Sequence, residues 1–143
     1  MIKKIAALIC AFALSSCFSS DETKDREEAA AYYAGEFGMQ PPADVKMLYA
    51  KQVFVRDSYG TWLKFNGNIE LMESLKNRDF IPTTSDEFME ETGGGNVPSW
   101  WTINRSFEFY AKEPWSKEFT YSKAYLAFDR EKGEIYFHHD CFD

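Results

Sequence analysis

The chain has 143 residues, with 23 acidic against 16 basic side chains and a formal charge of −7. That balance argues against nucleic acid, and against electrostatic attraction to anionic lipid, as a basis for binding. An aromatic content of 17% is high for a disordered chain and suits a compact one, because aromatic side chains bury large areas.

The first residues carry Lys3 and Lys4, then an apolar run from Ile5 to Leu14, then two small residues. This is the order of a secretory signal. The run is well short of the about 20 residues that a membrane-spanning helix needs. Leu14-Ser15-Ser16-Cys17 resembles the lipobox of bacterial lipoproteins. The resemblance covers residues 1–17 only. It implies cleavage before Cys17, acylation of that cysteine, and a cell-envelope address. Two or three acyl chains on one residue give stable anchoring, where a single chain gives reversible binding. Asp after the cysteine retains enteric lipoproteins in the inner membrane. Phe18 stands there instead, so the resemblance implies the outer membrane and its periplasmic face.

Cleavage would leave 127 residues with a charge of −9, one domain by size. Cys10 leaves with the signal and Cys17 is acylated, so Cys141 is the remaining thiol and no internal disulfide is expected. The expected organisation is a signal over 1–16, a short tether over 17–21, and a single domain over 22–143.

Ser19 and Glu22 match a capping box, and Ala29, Ala30, Tyr33 and Phe37 recur at helical spacing. A helix is therefore expected from Asp21 to Phe37, closed by Gly38 and kept closed by Pro41-Pro42. Residues 46–57 are rich in strand formers, Asp57-Ser58-Tyr59-Gly60 is a turn signal, and Thr61–Phe65 alternates. Together they predict a hairpin. Asn68 is placed to cap a helix over 69–78 that buries Ile69, Met72 and Leu75. Thr84 and Glu87 match a second capping box before a short helix over 85–92. Gly93-Gly94-Gly95-Asn96 reads as a mobile loop. Residues 106–111 alternate with Phe107 and Phe109 on one face, and Pro114 ends the segment.

The last hairpin is the clearest element. Ala124, Leu126 and Phe128 share a face in 119–129, as do Ile135 and Phe137 in 134–139, with the turn at Arg130–Gly133. The fold class is therefore α+β: an N-terminal helix packed with an antiparallel sheet of sequential hairpins.

Chemistry is sparse. His138-His139-Asp140-Cys141 has metal-binding residue types, but neighbours on a strand point to opposite faces and the chain has no third histidine. The segment reads as a C-terminal edge strand. Cys141 shares parity with His139, yet a thiol so near the end of the sequence is a poor nucleophile site. It reads as buried, or as linking two chains. Glu87 and Glu91, at i,i+4, share a helix face as paired carboxylates do. With Glu90 they read more simply as a solvated acidic face. The triple glycine lacks the GK[ST] of a phosphate loop. Trp100 and Trp101, after a glycine loop, are the candidate binding residues. They could grip a peptide, glycan or lipid, or else fill a small core. No catalytic or metal residue and no cofactor are assigned.

The expectation is a membrane-anchored, non-enzymatic envelope protein that binds a protein partner, for example as an inhibitor or immunity protein. Its other contact is the lipid bilayer, through acylated Cys17. The alternatives are a ligand-binding module using Trp100 and Trp101, and a small periplasmic hydrolase.

Overall fold

The structure is a computed structural model that describes residues 18–143. The signal and lipobox expected over residues 1–17, Cys17 included, lie outside the described residues. The strands are β1 (Phe18–Thr23), β2 (Leu48–Val55), β3 (Ser58–Asn66), β4 (Ile81–Pro82), β5 (Glu108–Lys112), β6 (Tyr121–Asp129) and β7 (Glu134–Phe142). The helices are α1 (Arg26–Phe37), α2 (Ile69–Lys76) and α3 (Ser85–Thr92). All the strands join one antiparallel sheet in the order β1-β2-β3-β7-β6-β5-β4. The fold is α+β, as expected. Among the described residues no helix is long and apolar enough to cross a membrane.

Strand alternation splits the core between the two faces of the sheet. One face carries Leu48, Leu63, Phe65, Leu126, Phe128, Ile135 and Phe137, and packs under Tyr33 and Phe37 of α1 and Met72 and Leu75 of α2. The other carries Tyr125, Ala127 and Tyr136 beneath Phe88 of α3 and Trp101. A smaller group of Val53, Trp62 and Trp100 continues it.

Local signals explain the helix ends. Asp25 Oδ1 accepts the Glu27 and Glu28 N–H groups, each at 3.0 Å, and starts α1. Gly38, at φ 72°, closes it by donating to Ala34 O, a backbone state that glycine takes without steric cost. Asn68 Oδ1 accepts Leu71 N–H at 2.8 Å and caps α2. Thr84 Oγ1 accepts Glu87 N–H at 3.1 Å and caps α3.

Several expectations are corrected. Residues 18–23 are neither a tether nor a helical cap. They form β1, paired with β2 from Phe18↔Val55 to Thr23↔Ala50. The capping-box match at Ser19 and Glu22 is a local signal. Edge pairing along all six residues occupies the backbone groups that a helix start would need. The β2–β3 turn falls at Arg56-Asp57, with Arg56 at φ 58°, so Ser58, Tyr59 and Gly60 belong to β3. Gly60 serves space rather than turning: a Cβ there would lie 3.1 Å from the Trp62 ring. Ile69 is exposed, leaving Met72 and Leu75 as the buried stripe of α2. Finally, β7 is not an edge. It lies between β3 and β6 and pairs along its whole length with both. Its two histidines, 3% and 1% exposed, are among the most buried polar residues.

Candidate functional site

At one end of the α1 face of the sheet, the last turn of α1 packs beside Trp115 over Phe137. In that turn Tyr33 and Phe37 point into the core, which leaves Glu36 at the rim. The chain reversal after β5 brings Trp115 and Phe119 to the same place. Between them opens a cavity of about 620 Å³, lined by Glu36, Tyr59, Arg78, Lys112, Trp115 and His139, among others. That volume lies within the usual range for ligand pockets, about 300–1,000 Å³.

His139 forms the inner wall. Its Nδ1 lies 3.0 Å from Glu36 Oε2 and its Nε2 lies 2.8 Å from Ser122 Oγ. Ser122 Oγ accepts the Ser116 N–H at 2.9 Å, and Glu36 Oε2 accepts the Trp115 Nε1–H at 3.0 Å. The serine hydroxyl can donate or accept, so it partners Nε2 whichever ring nitrogen carries the proton, while Nδ1 faces the carboxylate. Every member of this chain then has a partner. The Tyr59 ring stands edge-on to the imidazole, with centroids 5.4 Å apart. Burial, and the Glu36 charge after it, push the Tyr59 phenol well above its ordinary value, so it stays protonated.

The connectivity serine–histidine–carboxylate is that of an acyl-transfer triad. Access is not. Ser122 is 2% exposed, it does not line the cavity, and its oxygen is already held by two groups. A nucleophile must meet the substrate. Here the cavity reaches the carboxylate side of the histidine, and the serine lies behind it. The arrangement fixes the imidazole and the Glu36 carboxylate in place; it does not present an alcohol.

The sequence-expected residues fall elsewhere. Trp100 is buried, its ring against Tyr49 and its Nε1 donating to Glu22 Oε1 at 2.8 Å. It fastens the edge strand β1 to the loop after α3. Trp101 is half-buried and lies edge-on to Tyr136 and parallel to Phe88. Both indoles are thus engaged in the second core. Glu87 pairs with Lys123 at 3.0 Å, and Glu91 is exposed. Cys141 is fully buried, and burial pushes its thiol up to about 12. His138 lies on the face opposite His139, beside Trp62 at 4.6 Å between ring centroids. Burial, reinforced by the neighbouring His139, lowers it to about 3, and its Nδ1 has no protein partner. The loop of Gly93–Asn96 edges a smaller hollow beside it. Among the described residues no group of three His, Cys, Asp or Glu side chains is placed to hold a metal ion.

Sequence reasoning missed Glu36, Trp115 and Ser122. Glu36 reads as one more acid on a helix, and Ser122 as an ordinary strand residue. The usable signals were the parity of His139, which sends it to the α1 face, and the Tyr33/Phe37 stripe, which leaves Glu36 at its border. Comparison with protein-family models, curated proteins and solved structures finds no match to the chain.

Proposed function

We propose that the chain is a lipid-anchored, non-enzymatic envelope protein whose domain holds a peptide segment, free or presented by a protein partner, in the cavity beside α1. The lipobox resemblance supports the anchor at Cys17, with the outer membrane and its periplasmic face as the address. The observation that carries the binding reading is the cavity itself, whose inner wall is held rigid by the Glu36–His139–Ser122 chain while the serine faces away. Its remaining lining mixes signs: Arg78 and Lys112 stand with Asp79 and Glu118 among the aromatic rings of Tyr59, Trp115 and Phe119. A neutral sugar needs no ions of both signs. A peptide carries both, and its backbone offers donors and acceptors to the tyrosine and glutamate. Where the segment belongs to a toxin or a wall hydrolase, the same contact makes the protein an inhibitor or immunity factor.

Titration of residues 18–143 with a library of short charged peptides, read by tryptophan emission, tests this. The expected result is saturable binding that is weakened by Glu36→Gln and by Arg78→Ala, with the signal lost in Trp115→Phe. If no peptide shifts the emission, or if Trp100→Phe removes the response while Trp115→Phe keeps it, the cavity is not the site.

A further inference from the structure

At the end of the sheet nearest the chain start, one rung crosses five strands in register. Phe18 faces Val55, Val55 faces Ser58, Ser58 faces Phe142, and Phe142 faces Tyr121. Residues opposite one another share a side of the sheet, so the five side chains form a single row. At a strand spacing of about 4.8 Å the row is about 19 Å long. Its large apolar members are exposed: Phe18 at 58%, Phe142 at 45% and Val55 at 40%. Phe54, 40% exposed, lies beside the row on the other side, against the Tyr59 ring. Scattered exposed apolar residues are ordinary, but three aligned in one row, with only Ser58 between them, suit a contact surface.

We propose that this rung lies on the bilayer that holds Cys17, so that the domain docks on the membrane in one orientation. This orientation rests on acylation of Cys17, the reading proposed above. Cys17 is joined to Phe18 by one peptide bond, a Cα step of about 3.8 Å. Because Phe18 is already paired in β1, no tether separates the acyl chains from the rung. Tyrosine favours the headgroup level, and phenylalanine buries its apolar ring in the headgroup–acyl boundary. Charge attraction does not drive the contact: Arg56 at the β2–β3 turn is outnumbered by Asp57 and Asp143. Anionic lipid should therefore not strengthen the hold on the domain, as it would for a basic surface helix.

The test uses the full mature protein, purified with its lipid and placed in phosphatidylcholine vesicles. Mass measurement of the first residue confirms the acyl groups. Nitroxide labels are attached through Asp143→Cys, beside the rung, and through Lys132→Cys, in the β6–β7 turn at the opposite end. The label at 143 should be shielded from a water-soluble nickel chelate and the label at 132 exposed. Adding Val55→Ser and Phe142→Ser should remove the shielding at 143 while acylation persists. Replacing a third of the lipid by phosphatidylglycerol should not increase the shielding at 143. Equal exposure of both labels in acylated protein overturns the docking and leaves the anchor standing. Acyl-free protein overturns the anchor, and the docking falls with it. Dipolar coupling between two labels at 143 overturns the docking in favour of a second copy of the chain on the rung.

Discussion

Mild acid should destabilise the protein through His138. The imidazole is buried and held at about 3 by desolvation first and by the neighbouring His139 second. In the unfolded chain a histidine titrates near its ordinary value, about 6.5. The folded value is depressed, so the stability is complete above about 6.5 and is lost as the pH falls below it, because the unfolded chain takes up a proton that the native state refuses. Over the step from pH 6.5 to 5 the loss is about 2 kcal/mol, and it continues until the pH reaches the folded value. Against a total stability of about 5–15 kcal/mol this is a large fraction. Urea denaturation at about pH 7.5 and about pH 5 should show the midpoint falling by about 1 M from this group. His138→Phe keeps a ring against Trp62 and removes the titration. Its acid loss should be smaller than that of the native chain by about 2 kcal/mol, whatever its stability at neutral pH. An equal acid loss in both proteins, or a proton-resonance titration of His138 near the ordinary histidine value, would refute the reasoning.

Three further outcomes are expected. A fluorophosphonate probe should leave Ser122 unlabelled, and Ser122→Ala should lower stability by about 1–3 kcal/mol by orphaning His139 Nε2 and the Ser116 N–H; adduct formation at Ser122, seen by peptide mass mapping, would revive a hydrolase. Cys141 should resist iodoacetamide at about pH 8 in the folded protein and react once urea unfolds it, since its thiol is pushed up to about 12 and only the thiolate attacks; rapid native alkylation would contradict that burial. Phe137 touches Phe37 and Trp115 with ring centroids 4.9 and 5.4 Å away, so Phe137→Ala should cost about 3–5 kcal/mol in chemical denaturation. A loss under 1 kcal/mol would mean that the α1 face is not the packed core described.

Elements whose signal is local were legible in the sequence. Asn68 and Thr84 announced α2 and α3 because a cap acts within three residues of itself. The alternation in 124–128 and 135–137 announced the last hairpin because a two-stranded unit needs only a turn between its halves. Where long-range pairing competes with a local signal, the local reading failed. Ser19 and Glu22 look like a cap, yet β2 captures them as an edge strand. The terminal His138–Cys141 segment looks peripheral, yet β3 and β6 enclose it. The site was illegible for the same reason. Glu36, Ser122 and His139 come from α1, β6 and β7, and no spacing rule connects them. Trp100 and Trp101 drew notice because they are adjacent, whereas Trp115, which lines the cavity, stands alone after a proline.

The central position of β7 has a consequence for how the protein folds as it is made. The sheet joins Ser58 to Phe142 and Asn66 to Glu134, so the hairpin of β2 and β3 has no inner neighbour until residue 142 has been synthesised. Closing so long a loop is slow compared with making the local hairpins and helices. During synthesis the chain is therefore a set of unjoined hairpins and helices. It also leaves two open strand edges, on β3 and on β6, ready to pair with the wrong chain. A protein stopped short of β7 would keep both edges permanently, and quality-control proteases would meet it as an aggregating fragment rather than as a weakened domain.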